Sequence, residues 1–372
     1  MKTLLAVTRN EITLILRDRL YLLLMTVGAM GTLITMAYTL STDIEQVSTL
    51  VVDLDREHHS RQLIQRLSND SFFQVEMLER SEEAEQRLRE GSASVMLLIP
   101  SGYSQQLLRG EPVRLQLIID GSEPGMAERA SNHILGLTND ISQQLLVEQM
   151  ALRGISVAPV LEYHPRARYN ADLRTVVSVV PGLMAIVLTV PAVGASAAFA
   201  RERERGSFEV VVSTPLGRWP LLLGRIIPYI LIGLVDIGIF TALGCLAFGV
   251  PLRGDLGLFV LLGLVYVFAT ASSGVFVAQY LNTQHAAVIT SFMLFGITPV
   301  YLSDIFFPVV CMPVWLQRLS PLLPATHFTT IARGVFLKGV GLRALWPSGL
   351  TLLVMGTVMS LLAYARFRKK LG

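Results

Sequence analysis

The sequence is short of charge, of cysteine and of lysine, and each shortage excludes a class of protein. Only 16% of the 372 residues are charged, 52% are hydrophobic, and mean hydropathy is +0.53. That is too apolar for a soluble chain of this length, so the excess must sit in lipid. The two cysteines, Cys245 and Cys311, both lie in apolar stretches, which excludes a disulfide framework and a C-x-x-C metal site. The four lysines are Lys2, Lys338, Lys369 and Lys370. None follows glycine, so no G-x-x-x-x-G-K-[ST] phosphate loop exists in this chain. No basic patch carries interleaved aromatics, which excludes nucleic acid as a partner. No Ser-His-Asp or paired-carboxylate pattern stands out, leaving a membrane-bound enzyme as the weakest class.

What is present is a set of long apolar runs. A span needs roughly 20 apolar residues to cross a core about 30 Å thick, and six stretches qualify: 20–40, 173–200, 219–250, 256–281, 286–303 and 345–366. The first exceeds the h-region of a signal peptide, roughly 7 to 15 residues, and reads as a retained anchor. Pro181 and Pro191 are tolerable inside the second because neighbouring helices can satisfy the freed carbonyls. The net charge of +3 hides an uneven distribution: residues 41–170 carry nineteen Asp and Glu against twelve Arg. Lys2, Arg9, Arg17 and Arg19, then Arg201, Arg203, Arg205 and Arg218, then Arg366, Arg368, Lys369 and Lys370 mark the cytoplasmic segments. Both termini are then cytoplasmic, and residues 41–172 lie outside. Residues 1–19 read as an interfacial helix, with Lys2, Arg9, Asn10, Thr13 and Arg17 on one side; Glu11 and Asp18 form a second polar strip that should face protein.

Between the first two spans the pattern switches to short β-rich runs alternating with helical ones. Strands are predicted at Leu50–Asp53, Phe72–Leu78, Ser94–Ile99 and Leu115–Ile119, and helices at 57–67, 82–90, 103–108 and 124–152. This is an α/β domain of ordinary size. His58 and His59 follow Glu57, but adjacent histidines at a helix start point in different directions, so they read as solvated residues rather than metal ligands. The run Glu79–Glu90 reads as an exposed helix face with pairs one turn apart. Asp236 is the one acid deep in a span, and intramembrane acids are functional candidates by default, here as a polar residue on a translocation path. Arg225 shares its face but lies about 16 Å away by helix rise, too far to pair with it.

The most informative stretch is Arg201-Glu202-Arg203-Glu204-Arg205-Gly206-Ser207-Phe208-Glu209, followed by Pro215 and Leu216. Alternating charge, a glycine break and an apolar Phe208 suit a segment that leaves the membrane and docks on a soluble partner. This loop, 201–218, resembles the signature of permease subunits of type-2 ABC exporters (the ABC-2 family). Val52 to Asp55, Ile99 to Tyr103 and Ile119 to Ser122, then Pro321 to Pro324, Thr326 to Phe328 and Ile331 to Gly339, also resemble segments of the long members, in the right order. The resemblance implies an α-helical polytopic membrane protein of six spans, both termini inside, with an inserted α/β extracytoplasmic domain. It also implies a re-entrant outer hairpin at 304–344 and a cytoplasmic tail at 367–372. Arg201 to Glu209 would form the interface with ABC ATPase subunits, which would hold ATP and Mg; this chain would bind no cofactor and no metal itself. Implied partners are a second permease, itself or a sister, as a dimer, membrane lipids and a periplasmic adaptor. The implied setting is a bacterial inner membrane and the implied task efflux of drugs or other amphiphiles. The alternative is a membrane-anchored sensor whose outer domain binds a ligand.

Overall fold

The computed structural model describes residues 2–39, 46–152, 168–170, 174–206 and 217–367. Contacts divide the chain into two compact units, residues 43–165 and the rest.

The larger unit is helical. Helix α1 (Lys2–Arg17) ends where the Asp18 side chain accepts a hydrogen bond from Tyr21 N at 3.1 Å and caps α2 (Arg19–Thr39). The second apolar run forms α7 (Thr175–Val187) and α8 (Val190–Glu204), parted at Thr189 just before Pro191. Then follow α9 (Arg218–Leu246), α10 (Leu256–Ala278) and α11 (Gln284–Leu302). Two shorter helices, α12 (Val314–Leu319) and α13 (Pro324–Arg333), precede α14 (Leu342–Arg366). Among the described residues, α2, α7 with α8, α9, α10, α11 and α14 are six segments long and apolar enough to cross a membrane.

Helix α10 packs against α8, α9, α11, α13 and α14, and small residues bring the backbones together, as in lipid where close packing replaces the hydrophobic drive. Gly274 faces the carbonyl of Ala192 on α8, Gly263 faces Ile237 on α9, and Gly356 of α14 faces Ala269. Hydroxyl pairs add cross-links: Ser360 to Ser272 at 2.9 Å, and Ser291 to Ser196 at 2.7 Å. Tyr266, fully buried, donates to the carbonyl of Ala185 at 2.6 Å and stacks on Phe328 of α13.

The stretch between α11 and α14 is tied down by Arg333. Its guanidinium reaches the carboxylate of Asp304 at 2.8 Å and the carbonyls of Ile305 and Ser178. Backbone bonds from Arg253 and Gly254 to Phe336 and Val335 close the same end of the bundle.

The smaller unit is a four-stranded sheet with helices on both faces. Its strands are β1 (Val47–Asp53), β2 (Phe73–Leu78), β3 (Val95–Ile99) and β4 (Gln116–Ile119), in the order β2-β1-β3-β4. Strand β1 runs parallel to β2 and β3, with Val47 opposite Phe73 and Thr49 opposite Val95; β4 is antiparallel to β3. Alternate residues face opposite layers. Val51, Leu97 and Ile99 meet α3 (His58–Asn69), α5 (Tyr103–Arg109) and α6 (Pro124–Leu152), whereas Leu50, Val52 and Met96 meet Ala84 of α4 (Ser81–Arg89). Asp53, at the end of β1, accepts bonds from the amides of Asp55 and Arg56, both at 3.0 Å, and from Ser60 Oγ at 2.8 Å. Asp55 accepts one from Ser104 Oγ at 2.6 Å. The Val52–Asp55 run thereby fixes the starts of α3 and α5.

Candidate functional site

The charged segment is helical for longer than its alternating charge suggests. Arg201 to Glu204 form the last turn of α8, and the turn closes at Gly206, whose φ of +70° suits a residue without Cβ. Ser207, Phe208 and Glu209, with Pro215 and Leu216, lie outside the described residues.

Successive helical residues point about 100° apart, so three neighbouring side chains reach three different elements. Glu202 pairs with Arg225 of α9. Arg203 Nη1 donates to the carbonyl of Gln279, just past α10, at 2.8 Å. Glu204 accepts from the amide of Gln284, the first residue of α11, at 2.8 Å. Gln279 extends the chain of bonds, its Nε2 donating to the carbonyl of Ala363 near the end of α14 at 3.0 Å. The end of α8 is therefore fastened to α9, α10, α11 and α14 at one end of the bundle, while Arg205 and Gly206 remain exposed.

A buried polar cluster sits behind the Glu202–Arg225 pair. Arg225 is 5% exposed and lies over the ring of Phe199. Glu11 of α1 is buried and lies 3.5 Å from the hydroxyl of Tyr229. Burial, and next the charge of Glu202, holds its carboxyl above the usual range, while Arg225, Arg201 and the Tyr229 bond pull it down. Tyr21 donates to the carbonyl of Gly194 at 3.0 Å, so α1, α2, α8 and α9 meet here. The side of α1 that carries Glu11 packs against α9, where Gly224 approaches Val7.

Asp236 stands apart from this cluster. It is fully buried on the face of α9 that carries Tyr229, Gly233 and Phe240, and neither carboxylate oxygen has a hydrogen-bond partner among the described residues. Sequence reasoning named Arg201 to Glu204 and missed Gln279 and Gln284, because their partnerships span 76 and 80 residues. One available signal was a glutamine placed where an apolar run ends. His58 is exposed at the first turn of α3, and no group of three or more candidate metal ligands occurs among the described residues.

Six apolar helical segments, four of them packed against another, α10, with one α/β unit inserted between the first two, define a polytopic membrane protein of the permease type. The ABC-2 family transporter proteins match residues 20–365, and the chain belongs to that family. It is similar to the probable multidrug ABC transporter permease YbhR of Escherichia coli (strain K12), with 29% identity over 364 residues and 97% of each chain covered. The inner membrane transport permease YhhJ of the same strain is 25% identical, covering 92% of this chain and 93% of its own. The probable multidrug ABC transporter permease YbhS is 23% identical, covering 89% and 87%.

Proposed function

We propose that this chain is the permease subunit of an ATP-driven exporter in a bacterial inner membrane, working as a dimer with itself or a sister permease. A separate pair of ABC ATPase subunits hydrolyses Mg-ATP, and Arg201 to Glu209 receive their motion on the cytoplasmic side. The observation that carries this reading is the fastening of Glu202, Arg203 and Glu204 to three different helices. A push on the segment around Gly206 then moves α9, α10, α11 and α14 together. The likeness to YbhR and YbhS, both probable multidrug permeases, supports drugs as a cargo class. In this reading the α/β unit faces the periplasm, where an adaptor would find it.

The test is a chain carrying Gly206→Pro and Glu209→Lys, co-expressed with the ATPase subunit that copurifies with the parent. Loss of copurification and of ATP-driven uptake of a fluorescent dye into inverted vesicles is expected, with the thermal midpoint of the purified chain unchanged. Undiminished association and uptake would overturn the assignment of the coupling segment.

A further inference from the structure

One side of the α/β unit is hollow. A groove of about 490 Å³ runs between β3, β4 and the segment before β4 on one wall and the middle of α6 on the other. Its volume lies within the roughly 300–1,000 Å³ of small-molecule sites. The walls are aliphatic, set by Leu97, Leu107, Leu117, Ile134 and Ile141. Thr138 and Ser142 also line it, but both hydroxyls donate back into the carbonyls of α6.

Two further polar side chains, Tyr103 and Glu111, belong to the lining. Tyr103 is 5% exposed and lines the groove. Burial, followed by the charge of Asp55, pushes its phenol up, so it stays protonated and available as a donor. Glu111 is exposed and is the one ionisable carboxylate of the lining, which contains no Arg or Lys. The surrounding residues 41–170 add an excess of acids, nineteen against twelve Arg. An anionic guest would meet this field unfavourably, and a cationic one favourably. A donor buried in an apolar wall favours a guest that brings an acceptor near its apolar body.

We propose that this groove is a binding site for small lipophilic cations, with the apolar body between the sheet and α6, an acceptor on Tyr103 and the charged end at Glu111. Occupancy needs neither ATP nor transport, so it is read on the resting chain and its failure leaves the permease reading untouched. The probe is an alkyl-diazirine carrying a trimethylammonium head, incubated with the full chain in lipid nanodiscs, photolysed and mapped by peptide mass spectrometry. Saturable labelling of peptides covering 103–117 or 134–146 is expected. A probe with the same chain and a sulfate head should label them at least about fivefold less. Ile141→Trp, which fills the groove from a half-buried position, should abolish this labelling while leaving that of the spans. Glu111→Gln should weaken half-saturation by about two- to fivefold, the scale of an exposed charge pair, and Tyr103→Phe should weaken it for probes bearing an ether acceptor beside the head. Labelling confined to the spans, equal labelling by the sulfate probe, or indifference to Ile141→Trp in a chain with the parent's thermal midpoint would overturn the proposal.

Discussion

Arg225 lies on the same face of α9 as Asp236, but its partner is on another helix. A span that carries a guanidinium must neutralise it locally, and the acid that does so, Glu202, arrives from the end of α8. Removing one member strands the other. Arg225→Met should cost about 2–3 kcal/mol, below the roughly 3–5 of a fully buried pair because the Glu202 side chain keeps 23% exposure. Adding Glu202→Gln should return most of the loss, and thermal midpoints of the two single variants and the double variant close the cycle. Equal, additive losses would mean that the pair does not hold the helices. Glu11 makes a pH-dependent case. The docked form of α1 binds its proton more tightly than α1 in water, because burial raises the carboxyl. Docking therefore strengthens as pH falls through the raised value and weakens as pH rises from the ordinary carboxylate value, about 4.3, through it. Glu11→Gln should raise the thermal midpoint at pH 8, with the gain vanishing near pH 4; a gain of the same size at both pH values would rule out ionisation as its cause.

At the scale of elements, the close approaches to α10 make a sharp contrast between two glycines. A Cβ on Gly274 would sit 2.5 Å from the carbonyl oxygen of Ala192, which is backbone and cannot swing aside. Gly238 on α9 has nothing within 4 Å. Gly274→Ala should part α8 from α10 at about 1–3 kcal/mol, the cost of overpacking, whereas Gly238→Ala should leave the thermal midpoint unchanged or slightly raised. Equal effects would show that α8 and α10 do not meet backbone to backbone at Gly274. The elements themselves were legible in the sequence because apolar runs and period-two alternation depend on neighbouring residues. The strands fell within three residues of their predicted starts; β1 begins at Val47 rather than Leu50 because Val47 to Thr49 pair with Phe73 to Val75. Most of the run Glu79–Glu90 forms α4 (Ser81–Arg89), with Arg87–Glu83 and Arg89–Glu85 pairs one turn apart, as read. Illegible were the wider helical turns at Leu24–Gly28 and Phe292–Ile297 and the bonds through Gln279. Those depend on which helices become neighbours, and a hydropathy pattern that is apolar all round does not say.

At the scale of the whole molecule, the bonded pairs divide the helical unit into two ends. One holds Glu202, Arg225, Gln279 and Ala363; the other holds Ser178, Asp304, Arg333 and Phe336. The first end gathers arginines of the charged segment and the last turn of α14, and the proposed orientation, which follows the positive-inside rule, predicts that it faces the cytoplasm. Cys311 lies between Asp304 and Arg333, is exposed, and thus belongs to the second end's stretch of chain. With Cys245, half-buried in α9, replaced by alanine, Cys311 becomes a natural reporter of sidedness. A membrane-impermeant maleimide should label it in intact Gram-negative cells. A second chain carrying Cys245→Ala, Cys311→Ala and Arg205→Cys should be labelled only after the inner membrane is opened. The reverse pattern would invert the orientation, place the α/β unit in the cytoplasm and remove the charged end of α8 from the reach of any ATPase.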